Sequence, residues 1–340
     1  MLISVIIPLY NLGYKGNYCL KKCLNSLKLQ TYENFEILMM ENGSTDDTVH
    51  VAEEYSKIDE RFKIIILNEN GISNARNEGV KYAKGNYITF LDGDDYISEN
   101  YLEVMVEIML QDLEIDLGIV KTDVVYLNKN RIEKLYYFND GYLNLERNLG
   151  GLNIPTVWGK VFKKNIILNN NIEFKKDLFG IDDIFFILEY VYVANKIFVS
   201  NDTTYFYVQG RKGQTTYTRK RDMVYGNVNF IFHVKKFLSE KNIFDEYKWY
   251  IDRKIFDIFI GTNFAQIDIS KLSKKDVDNI INILKYDIYN VDINKNFKGW
   301  EIKWFNKFFY FTNKGLGFYF IKFIRIYRNI ILQPFKIKFK

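Results

Sequence analysis

The sequence is poor in cysteine, histidine and proline, and it lacks a long uncharged apolar run. Its 340 residues include two cysteines, two histidines and three prolines. Two histidines disfavour a histidine-based zinc site, and three prolines argue against disordered linkers. Since no stretch of about 18 uncharged apolar residues occurs, we expect no membrane span. The N-terminal apolar run lacks a basic leader, so we also expect no signal peptide.

The two cysteines, Cys19 and Cys23, are four residues apart in an apolar helical stripe. This spacing places them one turn apart on one face, which predicts buried free thiols. Free thiols suit a reducing compartment, so we expect a cytoplasmic protein.

Positive charge is concentrated at the end of the chain. Residues 301–340 hold nine Lys or Arg and one acid, Glu301, a net charge of +8; the whole chain carries +5, which leaves −3 for residues 1–300. Trp, Phe and Tyr alternate with these basic residues, a pattern typical of a segment in the interface of an anionic membrane. Nucleic-acid binding is the competing interpretation, although the acidic remainder argues against it, and a helix packed on the rest of the protein is the third.

The N-terminal third alternates strands with helices. Continuous apolar runs predict buried strands at Ile3–Pro8, Glu36–Met40, Lys63–Leu67 and Tyr87–Leu91. Helical patterns lie between them, and Ser73 is the expected N-cap of the third helix. This alternation predicts an α/β fold with a mainly parallel sheet and a ligand crevice at the carboxyl ends of its strands. No Gly-x-Gly-x-x-Gly follows the first strand, which disfavours a dinucleotide fold.

Three carboxylates, Asp92, Asp94 and Asp95, follow the fourth strand directly. Crowded carboxylates repel one another unless a cation lies among them, and oxygen ligands suit Mg²⁺ or Mn²⁺. The alternative is an acidic turn that caps the next helix. The nine residues from Tyr87 to Asp95 leave both interpretations open.

A set of motifs lies in order along the chain, in the segments SVIIPLYN at 4–11, QTYENFEI at 30–37, ENGSTD at 41–46, NGISNARNEG at 70–79, GNYITFLDGDD at 85–95, WGKVF at 158–162, GIDDIFF at 180–186 and YFY at 205–207. Together they resemble an inverting family 2 glycosyltransferase with the GT-A fold, of the type that builds bacterial polysaccharides or glycolipids. The resemblance covers roughly residues 1–220.

The resemblance implies a mechanism and a set of site residues. A Mn²⁺ or Mg²⁺ ion on Asp94 and Asp92 would neutralise the diphosphate of a nucleotide sugar. Asp183 matches the family's general base, with a helix N-cap as its alternative role. Asp95 would complete the motif, and it would lie either behind the residues that bind the metal or on the acceptor side of the site. The expected substrate-binding residues are Pro8, Tyr10, Asn11, Glu41, Asn42, Ser44, Arg76, Asp92, Gly93, Trp158, Asp182, Arg211 and Lys212.

Several of these positions have a second interpretation. Arg76 would be a solvated arginine on a helix face, and Trp158 would be a core residue rather than a sugar-stacking one. Arg211 and Lys212 are either a lid over the diphosphate or an exposed loop. The chain also has Glu41-Asn42 where the family usually has two aspartates. Asn42 can accept a hydrogen bond from a nucleotide base, so a uracil base is still compatible.

These expectations define one favoured function. Residues 1–220 would form a GT-A catalytic domain, and residues 221–340 a helical region that ends in the basic aromatic segment. The protein would be an enzyme, a hexosyltransferase that uses a nucleotide sugar, expected to be a UDP-sugar. The acceptor would be a glycan or lipid-linked hydroxyl, presented at the inner face of the cell membrane to a peripherally bound enzyme. No nucleic acid is expected as a partner. The alternatives are a non-catalytic glycosyltransferase-like partner subunit and a basic protein that binds membrane or nucleic-acid surfaces.

Overall fold

The structure is a computed structural model that describes residues 1–129, 131–145, 150–210, 220–259, 272–285, 287, 290–291 and 306–308. The chain folds into two compact units. Unit 1 comprises Met1–Lys176 and Asp182–Gln214, and unit 2 comprises Asp177–Ile181 and Thr215–Lys340. Nearly all of the basic segment at 301–340 lies outside the described residues.

Unit 1 is an α/β structure built on one sheet. Its strands are β1 Ile3–Leu9, β2 Phe35–Glu41, β3 Phe62–Ile66, β4 Tyr87–Phe90, β5 Tyr96–Ile97, β6 Ile115–Tyr126, β7 Arg131–Tyr136, β8 Gly141–Tyr142, β9 Lys160–Lys163 and β10 Lys196–Gln209. Its helices are α1 Tyr14–Lys28, α2 Thr48–Ile58, α3 Ile72–Tyr82, α4 Tyr101–Gln111, α5 Lys164–Asn169 and α6 Asp182–Val193, with a 3₁₀ turn at Gly150–Asn153.

The sheet has the order β3-β2-β1-β4-β9-β6-β10-β5, with β7 on β6 and β8 on β10. The first four strands are parallel to one another, as are β6 and β10, while β9 runs antiparallel to both of its neighbours. Each of the parallel strands β1, β2 and β4 is an almost uninterrupted apolar run because helices cover both faces. The mainly parallel α/β sheet expected from the sequence is therefore confirmed.

The core of unit 1 lies on the two faces of this sheet. On one face, side chains of β1 pack with α1, α2 and α4, for example Leu24, Val51 and Met105. On the other face, Ile6 of β1 packs in a cluster that contains Ala75 of α3 and Phe186 of α6. Cys19 and Cys23 are both buried thiols that form no disulfide, which confirms that expectation.

The beginning of α3 differs from the expectation. Ser73 does not cap this helix: the cap position is Gly71, and α3 begins at Ile72. Gly71 has a φ of 135°, which strongly favours glycine. Ser73 instead lies in the first turn, and its hydroxyl donates to Asp182 Oδ2 at 3.0 Å. A long-range polar contact thus replaces the local cap.

Unit 2 contains the helices α7 Lys220–Glu240, α8 Phe244–Phe259 and α9 Lys274–Ile283. Helices are therefore present in the C-terminal region, as expected. His233 of α7 contacts Asp177 at 3.0 Å, and Lys248 of α8 pairs with Asp252 at 2.7 Å. None of the helices among the described residues is long and apolar enough to cross a membrane.

Candidate active site

The carboxyl ends of β2, β1 and β4 lie side by side in the sheet. They bring the loops that begin at Asn42, Tyr10 and Leu91 to one edge. Open α/β sheets bind ligands outside this edge, at the point where the strand order reverses. Here that point is between β1 and β4, because the chain moves outward from β1 to β3 and then returns to the other side of β1.

Asn11 joins the loop after β1 to the loop after β2. Its backbone is left-handed, with a φ of 49°. Its Oδ1 accepts from the Thr45 backbone N–H at 2.8 Å, and its own N–H donates to Ser44 Oγ at 3.2 Å. Pro8 lies near the end of β1, half-buried, and Tyr10 follows with 49% of its surface exposed. The exposed tyrosine ring therefore stands on a loop that hydrogen bonds hold in place.

Glu41 and Asn42 are buried and already bonded to neighbouring loops. Ser44 donates to Glu41 with its backbone N–H and, at 2.9 Å, with its hydroxyl. The Gly71 N–H donates to Asn42 Oδ1 at 2.6 Å. A backbone N–H can only donate, so this contact identifies the near atom of the Asn42 amide as oxygen. Asn42 thus connects the end of β2 to the start of α3.

The three aspartates after β4 have different surroundings. Asp92 and Asp94 are half-buried, whereas Asp95 is 1% exposed. Asp95 accepts from the Tyr205 hydroxyl at 2.6 Å and from the Val208 N–H at 2.7 Å, both on β10. Gly93 is buried, and a side chain there would lie 2.5 Å from Leu12. Asp95 therefore holds the turn on which Asp92 and Asp94 are displayed.

Trp158 is buried in an aromatic stack that reaches the same edge. Its ring stacks on Tyr205 at 5.0 Å and on Tyr207 at 5.3 Å. Trp158 also forms an isolated bridge with Phe90, the last residue of β4. Because the ring is 7% exposed and stacked on its neighbours, the core role is the one that the geometry favours.

Arg76 of α3 links two carboxylates that are distant in sequence. Its Nη2 lies 3.1 Å from Asp92 Oδ1, and its Nη1 lies 3.3 Å from Asp182 Oδ2. The residue is 4% exposed, so the solvated alternative is wrong. Burial acts to lower the pKa of Arg76, but the charges of Asp92, Asp182 and Asp183 raise it above its ordinary value. This permanent cation ties the start of α6 to the end of β4.

Asp182 and Asp183 form the first turn of α6. Asp183 Oδ1 accepts from the Ile184 N–H at 2.9 Å. Burial raises the pKa of Asp183 to about 7; Asp182 and Asp92 act in the same direction, while Arg76 opposes them. Burial also raises the pKa of Asp182, against the effect of Arg76 and the Ser73 hydroxyl. A carboxylate with a pKa near neutrality can take up and release a proton under ordinary conditions.

The sequence does not reveal every contact of this site. Tyr205 and Tyr207 belong to a family motif that assigns them no role, and their alternation along β10 is the signal that they face one side. Lys160 also lies in a motif, and it is buried beside Trp158. Arg211 and Lys212 lie outside the described residues.

A divalent ion fits this site only together with a ligand. The described residues contain no cluster of three or more His, Cys, Asp or Glu side chains arranged to hold a metal ion. Asp92 is already paired with Arg76, and Asp95 faces β10. Mg²⁺ is usually held by one or two carboxylates together with waters and substrate phosphates. Asp94 and Asp92 supply that kind of donor set, so they fit an ion that binds with a diphosphate.

Comparison with known proteins agrees with this geometry. Residues 4–164 match the model of glycosyl transferase family 2. Glycosyltransferase GlyA of Streptococcus pneumoniae is 31% identical over 228 residues, which are 62% of this chain and 31% of GlyA. Poly(ribitol-phosphate) beta-N-acetylglucosaminyltransferase TarS of Staphylococcus aureus is 25% identical over 221 residues, 63% of this chain and 36% of TarS. The chain thus matches about a third of the length of these relatives.

Solved structures share the fold at lower sequence identity. A crystal structure of the TarS fragment 1-349 in complex with UDP-GlcNAc aligns with a TM-score of 0.68 and 19% identity, over 97% of this chain and 92% of that one. GalNAc-T7 with UDP, GalNAc and Mn²⁺ aligns with a TM-score of 0.55 and 16% identity, over 86% and 58%. The motifs, the family match and the fold agree: residues 4–164 are a glycosyl transferase family 2 domain, and the chain has the GT-A fold.

Proposed function

We propose that the protein is a metal-dependent inverting glycosyltransferase that transfers a sugar from a nucleotide sugar to a hydroxyl group. One observation carries the proposal: Arg76 joins Asp92, at the end of β4, to Asp182, which precedes Asp183 in the chain. Arg76 thereby connects Asp92, which is suited to hold a metal ion bound to a diphosphate, to the start of α6. Asp183, in the same turn of that helix, is suited to take a proton. The similarity to TarS, a poly(ribitol-phosphate) beta-N-acetylglucosaminyltransferase, supports a role in bacterial surface polysaccharide synthesis.

The donor diphosphate would bind over the turn that carries Asp92 and Asp94. When bound there, Mn²⁺ or Mg²⁺ would neutralise the negative charge that develops on the leaving diphosphate. Pro8, Tyr10, Asn11, Glu41, Asn42, Ser44, Arg76 and Gly93 would form the nucleotide side of the site, with Trp158 and Asp182 behind the sugar. Arg211 and Lys212 remain proposed partners of the diphosphate.

Uracil is the proposed base of the donor. TarS and GalNAc-T7, which share the fold, have both been crystallised with a uridine nucleotide. Asn42 Oδ1 accepts from Gly71, but a carbonyl oxygen has two lone pairs and can accept a second hydrogen bond. The N3–H of uracil is such a donor, and the exposed ring of Tyr10 is suited to stack on the base.

Asp183 would act as the general base. Its carboxylate takes the proton of the acceptor hydroxyl while that oxygen attacks the anomeric carbon. The new carbon–oxygen bond forms as the bond to the diphosphate breaks on the opposite face, which inverts the configuration. A pKa near 7 suits this task, because the ionised form is populated at neutral pH and still binds a proton strongly.

The acceptor would be a glycan or a lipid-linked hydroxyl. We propose that residues 1–220 form the catalytic domain, that residues 221–340 act in acceptor binding, and that residues 301–340 attach the protein to the inner face of the cell membrane. The +8 charge of this last segment, with its interleaved aromatic residues, supports attachment to anionic lipid. Flotation with liposomes of increasing anionic content would test this point, and equal flotation of a variant that lacks residues 301–340 would refute it.

Thermal unfolding with nucleotides and Mn²⁺ tests the donor site. A ligand that binds only the folded state raises its stability, by about 2.7 kcal/mol at a hundredfold excess over Kd. We expect UDP-sugars with Mn²⁺ to raise Tm, and either component alone to raise it less. Asp94→Asn should remove the added effect of the metal, whereas the exposed Glu107→Gln on α4 should not. If Mn²⁺ still adds to the rise in Tm in Asp94→Asn, Asp94 is not a ligand of the metal ion.

A further inference from the structure

Tyr205 is a buried tyrosine of β10 that the proposed mechanism does not use. It is 0% exposed, and its hydroxyl contacts both ends of the turn that follows β4. The Asp92 N–H donates to the Tyr205 oxygen at 3.3 Å, and the hydroxyl donates to Asp95 Oδ2 at 2.6 Å. Because a backbone N–H can only donate, the hydroxyl must accept at Asp92, and its one hydrogen is left for Asp95. A single buried hydroxyl therefore joins the first and the last residue of the turn.

The turn itself carries the two proposed metal ligands. The Asp95 N–H donates to the Asp92 carbonyl at 2.9 Å, which closes a four-residue turn. Asp92 and Asp94, the proposed ligands, are its first and third residues. The second oxygen of Asp95 accepts from the Val208 N–H at 2.7 Å. Both carboxylate oxygens of Asp95 thus accept from β10, so the position of the turn depends on this strand.

An aromatic stack holds the ring of Tyr205 in place. The ring stacks on Trp158 with the centroids 5.0 Å apart and the planes at 12°, and Trp158 stacks in turn on Tyr207. The ring of Tyr101 on α4 lies 6.4 Å from that of Tyr205. Buried side chains in such close packing have little freedom to move. The stack therefore determines where the hydroxyl lies, which gives the buried Trp158 a supporting role at the site.

The chemistry of the contact indicates what would follow from its loss. Without the hydroxyl, Asp95 Oδ2 would lose the hydrogen bond that it accepts from Tyr205. A buried carboxylate oxygen that loses its donor is strongly unfavourable, and a shift of the turn toward water or another donor would relieve that cost. Asp92 and Asp94 belong to the turn and would move with it. Metal binding is sensitive to such shifts, because the residues behind the ligands orient them.

We propose that Tyr205 is a positioning residue for the metal ion: its hydroxyl holds the turn in the shape that presents Asp92 and Asp94 to a divalent ion bound with a diphosphate. This inference rests on the proposed function, in which these two aspartates are the ligands. Tyr205 acts through the turn, chiefly through Asp95, and does not itself touch the ion.

The Mn²⁺ dependence of thermal unfolding with UDP tests the proposal. UDP is held at a saturating concentration, Mn²⁺ is titrated, and the half-saturating Mn²⁺ concentration is read from the rise in Tm. Tyr205→Phe keeps the ring and removes the hydroxyl. Loss of a residue that orients metal ligands costs about 10–100-fold in metal affinity, so we expect the half-saturating concentration to rise by about tenfold or more. The rise in Tm with UDP alone should match that of the wild type.

Tyr101→Phe is the matched control for a general effect on the core. Tyr101 is 2% exposed, and its hydroxyl contacts that of Thr89 on β4 at 3.5 Å. The variant thus loses a buried hydroxyl beside the same stack. It should lower Tm without ligand, yet its half-saturating Mn²⁺ concentration should equal that of the wild type. If the role of Tyr205 were only structural, Tyr205→Phe would behave in the same way.

Asp95→Asn tests whether Tyr205 acts through Asp95. Asparagine can still accept from the Val208 N–H with its one oxygen, but its amide nitrogen cannot accept from the Tyr205 hydroxyl. The double variant with Tyr205→Phe should therefore raise the half-saturating Mn²⁺ concentration little more than the larger single effect, whereas additive effects would overturn the proposal. If Tyr205→Phe does not fold, Asp95→Asn decides alone, and an unchanged half-saturating concentration in that variant overturns the proposal.

The outcomes separate this inference from the proposed function. If Tyr205→Phe folds and keeps the half-saturating Mn²⁺ concentration of the wild type, the inference is wrong and the proposed metal site stands. If Mn²⁺ adds nothing to the rise in Tm of the wild type with UDP, the metal dependence of the proposed function is wrong, and the inference falls with it. A rise in the half-saturating concentration in Tyr205→Phe but not in Tyr101→Phe supports the inference.

Discussion

Asp183 combines partial burial with neighbours of its own charge, and this combination affects stability as well as chemistry. Burial raises its pKa in the folded state to about 7, against about 3.9 in an unfolded chain. The folded state therefore binds the proton more tightly. The contribution of this group to stability is complete below about pH 4 and is lost as the pH rises through 7.

Asp183→Asn should consequently be more stable than the wild type at pH 8, because Asn carries no charge to bury. We expect the gain in the free energy of unfolding to be about 1–3 kcal/mol at pH 8 and to be much smaller at pH 5. Urea unfolding at the two pH values measures it.

Asp59→Asn is the control for this prediction. Hydrogen bonds from Arg61 hold the pKa of Asp59 below its ordinary value, so its loss should destabilise the protein at both pH values. If the gain in the free energy of unfolding of Asp183→Asn does not grow with pH, the buried charge of Asp183 does not destabilise the folded state.

Among the secondary-structure elements, α3 has a central place because its Arg76 connects it to the end of β4 and to the start of α6. Arg76→Met would leave the carboxylates of Asp92 and Asp182 without their shared cation. Removing one partner of a buried ion pair costs about 3–5 kcal/mol, so we expect a loss of that size in the free energy of unfolding. Denaturant titration of the purified variant measures this loss directly.

Two further variants check that the loss comes from this network. Lys81→Met, on the same helix, breaks an exposed pair with Glu78 and should cost less than about 1 kcal/mol. Asp182→Asn combined with Arg76→Met should recover part of the loss, since one of the unpaired charges is gone. Equal losses for Arg76→Met and Lys81→Met would argue against a buried network.

Sequence patterns predict the elements well where burial makes the pattern simple. Ile3–Leu9 and Tyr87–Phe90 are within one residue of the strands expected, because parallel strands covered on both faces are continuous apolar runs. The contacts of Ser73 and Arg76 with Asp182 are not predictable from periodicity. Each joins residues more than a hundred positions apart, and only the packing of α3 against α6 brings them together.

The candidate site shows the same division between local pattern and tertiary contact. The family motifs indicate the three aspartates of residues 92–95, but they do not distinguish Asp95 from the other two. Its separate role follows from β10, whose Tyr205 and Val208 bond to it across the sheet. The length of β10 and its position beside β5 decide that contact, and neither is marked by a local sequence signal.

For the molecule as a whole, one sheet edge in unit 1 carries both the proposed donor site and the proposed base. The stereochemistry of the reaction reports on the two together. A metal-bound donor attacked from the opposite face with Asp183 as the base must give a product of inverted configuration. We propose that these carboxylates serve one such displacement.

The configuration of the product decides this point, and it can be read by ¹H NMR of the sugar released from a UDP-α-sugar with Mn²⁺. Spectra are recorded before mutarotation for the wild type and Asp183→Asn. We expect the β-anomer to appear first. We also expect the rate to fall by about 10²–10⁴-fold in Asp183→Asn, the size of a general-base contribution. Release of the α-anomer first, or an unchanged rate in Asp183→Asn with the fold intact, would contradict the proposed displacement.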